Sequence, residues 1–368
     1  MNVLQSIFRQ QKHFLWVLFW LIATNVLANT PFVQHKYTET KKENKTFNVS
    51  DLPSLFVSNK YGTITLVADD NLKTIKIDVT VKTSSDDADR AKERLKDISI
   101  DFSQKGSAVS AKTLIQSSSS SFVKKFWKSN TSVSIRIDYT ISLPTKTKIS
   151  LESQYGDIFL NKTDSELKIN ASYGSVNLEK INAEARLQLN YSPNTQITEI
   201  QKLYLDGDYS TISVEKAQFI KLSMDYTTLK ISEVSQIDAH CKYGNLTVEK
   251  AASLSAHSAY TNLKINALSK QATISSKYGN LSVRGIAPSV NSLTIDGAYT
   301  SISIGYHKDW EFSYEFSNSF SKPQLPANLP YDKKNIGNIS SFISGTKGKG
   351  GNTLKINSSF GGVKVNEF

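Results

Sequence analysis

The 368-residue chain contains one cysteine, two methionines and four tryptophans. A single cysteine excludes an intrachain disulfide framework and any zinc site built on several cysteines. Charged residues are 21% of the chain, hydrophobic residues 39%, and mean hydropathy is −0.32, which excludes a polytopic membrane protein and a fully disordered chain. Catalytic signatures are missing as well. There is no Gly-x-Ser-x-Gly elbow, no phosphate loop and no zinc-protease helix. The glycine-rich stretch from Gly345 to Gly351 has lysines but lacks the strand-to-helix context a phosphate loop requires. Lysines are scattered, with no basic run interleaved with aromatics, so nucleic acid is not an expected partner.

What is present begins with an export signal. Arg9, Lys12 and His13 form a basic start, Phe14 to Leu27 is apolar, and Val26-Leu27-Ala28 ends in the small-residue pattern of a cleavage site. The apolar stretch is shorter than the roughly 20 residues a spanning helix needs. Residues 1–28 therefore read as a signal peptide, and the mature chain is expected to be exported with no transmembrane span. No cysteine follows the cleavage site to carry a lipid. The whole chain has 44 Lys and Arg against 33 Asp and Glu, a net charge of +11; losing Arg9 and Lys12 leaves +9. A positive exported protein is suited to an acidic glycan or an anionic envelope surface.

Residues 29–54 are polar and read as a lead-in. From 55 to 143 the chain alternates like strands, as at Ile75, Ile77, Val79 and Val81. One short helix is expected near 86–97, capped by Ser85 or Asp86, with Ala88, Ala91 and Leu95 on its apolar face. Residues 307–352 read as a loop-rich insertion, with Pro323, Pro326 and Pro330. Residues 353–368 read as capping strands.

Between 144 and 306 a repeat decides the fold. A tyrosine followed by a turn residue recurs at Tyr155, Tyr173, Tyr191, Tyr209, Tyr226, Tyr243, Tyr260, Tyr278 and Tyr299, mostly 17 or 18 residues apart. Apolar or small residues precede each tyrosine at −6, −4 and −2 and follow it at +3 and +5. The step of odd length across the turn keeps one face inward only if the chain bends there, and the sequence places that bend at +1 and +2. A chain that bends at fixed intervals with one inward face is an all-β solenoid, β-helix-like, with 17–18-residue coils and a β-rich N-terminal segment. The tyrosine rings are expected to close the inward face before each corner.

The stretch Ile141-Ser142-Leu143-Pro144, then Ile149-Ser150-Leu151 and Tyr155-Gly156-Asp157-Ile158, with the tandem Tyr-Gly units downstream, resembles the bacterial adhesin family of β-strand repeat proteins (DUF4097-like, related to head-GIN adhesin-like proteins). The resemblance implies an envelope or secreted β-helix protein of Bacteroidetes-type bacteria, with adhesion proposed and no catalytic residues or cofactor to carry over.

If coils stack in register, the outward positions −3 and −1 bring chemistry together. Asp206, Asp208 and Asp225 would form an acidic patch, His240 and His257 would be neighbours, and Lys242 would lie beside the acids. Clustered carboxylates on a β-helix are what a carbohydrate-active lyase or hydrolase needs. That enzyme is the alternative; the expected function is a non-enzymatic, adhesin-like binding or structural protein of the cell envelope whose solvated polar face contacts an acidic glycan or an envelope protein. Two histidines without a third ligand are too few for a zinc site. Cys241 falls on an inward position and reads as a buried small side chain.

Overall fold

The computed structural model describes residues 35–50, 52–116 and 132–368; the expected signal peptide lies outside them. Among the described residues, twenty-four strands form a single continuous sheet system, against which one helix packs. The N-terminal head holds β1 (Tyr37–Asn48), β2 (Ser54–Lys60), β3 (Ile64–Asp69), β4 (Thr74–Ser85), α1 (Ala88–Lys96), β5 (Ile98–Lys105), β6 (Ala108–Ile115) and β7 (Val133–Pro144). The coils follow as β8 (Lys148–Gln154), β9 (Ile158–Thr163), β10 (Leu167–Ser172), β11 (Val176–Asn190), β12 (Thr195–Asp208), β13 (Thr211–Asp225), β14 (Thr228–Lys242), β15 (Asn245–Ala259), β16 (Asn262–Lys277), β17 (Asn280–Ile286), β18 (Ser292–Ala298) and β19 (Ser301–Tyr306). The chain ends with β20 (Phe312–Ser319), β21 (Lys333–Ile336), β22 (Ser340–Lys347), β23 (Asn352–Ser359) and β24 (Val363–Glu367).

Each coil pairs in parallel with the next, residue for residue: Leu187 with Leu205, Leu222 and Ala239 onward, and Ile197 with Val214, Ile231 and Val248. This is the β-solenoid the repeat implies. One coil shows why it closes. Met224, Thr227, Leu229, Ile231, Val234, Ile237, Ala239 and Cys241 are all buried. Steps of two keep a straight strand's face inward, and steps of three mark bends. The steps of three fall at 224–227, 231–234 and 234–237, so the coil has three corners.

The first corner is not where the sequence reading put it, and the tyrosines do not face inward. All nine repeat tyrosines have φ between 50° and 60° and are exposed at 44–51%. The left-handed residue at the corner is thus the tyrosine itself. That conformation breaks the alternation and throws the ring outward, while the following residue turns in. The ring column begins at Tyr61 and ends at Phe360 and Phe320, so twelve aromatic rings share one backbone conformation. Adjacent rings stack 4.2–5.5 Å apart, the tyrosine pairs from Tyr155 onward at 4.8–5.0 Å, close to the roughly 4.8 Å spacing of paired strands.

After every ring comes Gly, Ser or Thr. The reason is crowding against the coil below. A Cβ on Gly156 would sit 1.8 Å from the carbonyl oxygen of Gly62, and one on Gly174 2.1 Å from that of Gly156. Where a hydroxyl residue stands instead, it is hydrogen bonded at Ser210, Thr227, Thr261, Thr300 and Ser321, whereas the buried Ser192 Oγ has no partner among the described residues. Thr227 Oγ1 donates to the Gly207 carbonyl at 2.8 Å and accepts the Ser210 N–H at 3.2 Å.

Three other expectations change. The polar lead-in forms β1, which pairs antiparallel with β4 over its whole length. Its charged residues, Lys41, Lys42, Glu43 and Lys45, belong to an edge strand, where charge discourages further pairing. The helix is capped by Asp87, whose Oδ1 accepts from the Asp89 and Arg90 N–H groups at 3.0 and 3.3 Å; Asp86 instead accepts the Lys36 N–H, and Ala88 is exposed while Ala91 is buried. At the far end the order of strands is not the order of sequence. β23 inserts between β18 and β20, both in parallel, and β20 carries the antiparallel β22 and then β21. The segment expected as loops therefore supplies the last strands, closing the rod over buried Trp310, Phe312, Tyr314 and Phe316, and the chain's final strands are an interior coil.

Candidate functional site

The outer face of the strand that precedes each tyrosine is the surface on which the candidate residues meet. Register places Asn170, Gln188, Asp206, Ser223, His240 and His257 in one row across successive coils. A parallel row two residues nearer the tyrosines holds Asp208, Asp225 and Lys242. Register sets Asp208 beside Asp225, with Asp206 two residues back on the same strand and opposite Ser223. Burial and the charges of Asp206 and Asp225 push the Asp208 carboxyl above the ordinary carboxylate range. His240 and His257 are adjacent, with ring centroids 5.1 Å apart. Lys242 lies next to Asp225 in register, but the two form no ion pair within 4.0 Å. Among the described residues no three His, Cys, Asp or Glu side chains gather to hold a metal. Cys241 is buried and free, its thiol pushed up to about 12 by burial and by Asp225.

A third row on the same face contains Lys168, Arg186, Tyr204 and Lys221, again in strict register. It has the same outward parity, five residues before each tyrosine, and the sequence reading stopped at positions −3 and −1. The two rows enclose a groove of about 550 Å³ that includes Asp206 and His240. The Arg186 guanidinium lies 4.4 Å from the centre of the Tyr204 ring and pairs with Glu184 at 2.5 Å. Phe219 approaches Tyr204 with centroids 6.0 Å apart at 59°. Lys168 and Lys221 have no carboxylate at ion-pair distance among the described residues. The groove thus offers an aromatic side chain, a fixed guanidinium, two free ammonium groups and one carboxylate. His257 is outside it, one coil further along the row of His240, and Asp208, Asp225 and Lys242 are outside it on the side toward the tyrosine column.

The tyrosine column presents a different surface. Each interior ring has a neighbour on both faces, so only edges and hydroxyls reach solvent. A sugar ring needs a free aromatic face, which the column does not supply.

No helix among the described residues is long and apolar enough to cross a membrane. No family model and no curated protein matches the chain. Among solved structures, it is similar to a candidate cell adhesion protein from Clostridium sporogenes at 9% identity and a TM-score of 0.17, covering 90% of this chain and all of that one. It is also similar to a candidate lipid binding protein from Parabacteroides distasonis, at 14% identity, TM-score 0.30 and 89% and 96% coverage. A candidate adhesin from Bacteroides fragilis matches at 14% identity, TM-score 0.23 and 89% and 97% coverage. At that distance the names belong to those proteins and lend no ligand to this chain.

Proposed function

We propose that this chain is an exported, non-enzymatic binding protein of the bacterial envelope, adhesin-like in the DUF4097 sense, that holds an acidic glycan along the outer face of its solenoid. The observation that carries the reading is the groove of Lys168, Arg186, Tyr204 and Lys221, where two free ammonium groups share a face with a guanidinium fixed on an aromatic ring. Carboxylated sugars suit these cations, whose ammonium and guanidinium groups pair with the acid, while Tyr204 holds the guanidinium in place. Register sets Lys168, Arg186, Tyr204 and Lys221 at successive strand spacings before the row passes to Asp238, so a polymer laid across these four coils gains several weak contacts at once. The test is titration of polygalacturonate, with neutral dextran as control. Affinity should fall as salt rises, and Arg186→Ala with Lys221→Ala should weaken it about tenfold or more. Equal affinity for dextran, or no effect of salt and of the double variant, would overturn the acidic-glycan reading; the same behaviour toward an anionic envelope protein but not the polymer would redirect it to that partner.

A second reading rests on the raised Asp208 carboxyl between Asp206 and Asp225. Paired carboxylates in unlike environments are the apparatus of glycoside hydrolysis. It predicts that the polymer shortens on incubation and that Asp208→Ala stops the shortening.

A further inference from the structure

The outer face does not end at the groove. The row of Asp206 and His240 continues past His257 to Ser275, Asp296, Asn357 and Ser317, and then across the antiparallel hairpin to Phe342 and Asn335. Six strands of one sheet here line a cleft of about 490 Å³, so the face is concave where β22 and β21 curl over it. A volume of that size falls within the range of small-molecule sites. The segment that forms its wall is the insertion the sequence marks with three prolines, and nothing in the repeat requires it.

The lining differs in kind from the basic groove. It is hydroxyls and amides: Ser275, Ser317, Ser340, Asn335 and Asn357 all face it, with one carboxylate, Asp296, and one ammonium, Lys277. The charges balance, so neither an acid nor a base is selected. The Asn357 amide donates to Asp296 Oδ1 at 2.7 Å, which fixes both groups across neighbouring strands. Phe342 is 37% exposed and stacks on no other ring among the described residues. It is the one aromatic of this cleft, and its face is not taken by the column that occupies Phe320 and Phe360. Side chains that both donate and accept, a fixed carboxylate and a free aromatic face together match a neutral sugar ring, whose hydroxyls donate and accept and whose C–H face is apolar.

From this cleft we infer a second binding site, for a single uncharged hexose or N-acetylhexosamine unit, walled by the β21–β22 hairpin and independent of the ligand of the basic groove. The test is saturation-transfer NMR of the full-length protein with glucose, galactose, mannose and N-acetylglucosamine. At least one sugar should give a signal, and its affinity should fall about tenfold in Phe342→Ala and in Asp296→Ala while Arg186→Ala leaves it unchanged. Both substituted side chains are exposed or nearly so, and circular dichroism verifies that the solenoid persists. Polygalacturonate binding should survive Phe342→Ala, which separates failure of this site from failure of the groove. Silence with all four sugars overturns the inference. So does a signal that neither cleft variant weakens, or one that Arg186→Ala abolishes.

Discussion

At the scale of single residues, the protein is organised by a conformation that bulky side chains ordinarily avoid. Left-handed backbone costs an L-residue roughly 1–2 kcal/mol, and glycine or asparagine would adopt it more cheaply. Twelve aromatics adopt it here. Stacking contributes roughly 0.5–1.5 kcal/mol per pair, and an interior ring has two partners, so the column about offsets its own strain. A test follows at Tyr226, with φ of 51° and rings 4.9 and 4.8 Å away on its two sides. Tyr226→Ala keeps the strain and loses both contacts, so urea unfolding should show a loss of about 1–3 kcal/mol. Tyr226→Gly loses the contacts and relieves the strain, and should be the milder variant. Glycine as costly as alanine would contradict the strain account. The sequence made the tyrosines visible as anchors but not as outward rings, because alternation continues through −2 to 0 on paper and only the left-handed φ breaks it. Phe320 and its unit went unseen for a related reason: its coil is out of chain order, with no neighbour at 17 or 18 residues. Asp208 supplies a second test at this scale. Its carboxyl is raised in the fold, so its contribution to stability is lost as pH rises through the carboxylate range. Asp208→Asn should therefore be more stable than the parent at neutral pH, with the difference closing well below pH 3.8, the ordinary value. A variant less stable at neutral pH would mean that the charge is favourably paired.

At the scale of elements, the coils were readable because one rule of burial repeats, and the ends were not because they break it. β1 carries Lys41, Glu43 and Lys45 where a buried strand would carry valine, and it exists by pairing with β4 along an edge. β21, at the other end, has Lys333 and Lys334 in the same role. Charged strands thus flank the stack at both ends, which limits strand addition by other chains. The basic groove was half legible: Asp206 and His240 stood out as chemistry, whereas Lys168, Arg186, Tyr204 and Lys221 are ordinary surface residues until register aligns them. The helix was legible apart from its first residue. Asp87→Ala removes a cap that accepts two N–H bonds and should cost about 1 kcal/mol of stability. Asp86→Ala should cost less, since Asp86 accepts the Lys36 N–H and lies 3.6 Å from His35 Nδ1 instead of capping the helix. The reverse order would reinstate the earlier cap.

At the scale of the whole molecule, the twelve-ring column runs about 54 Å, from eleven intervals near the strand spacing. One side of that length is a register-locked polar face with a basic groove toward the head and a neutral cleft at the far end. Such an object presents outward positions at equal steps while their side chains change from coil to coil, and the proposed role is to hold a polymer across them without cutting it. The account stands most directly on the length of polygalacturonate chains after prolonged incubation with the protein, followed by size exclusion. It predicts unchanged chain length together with polymer that co-elutes with protein and is released by salt. Shortened chains, with the shortening abolished by Asp208→Ala, would contradict it.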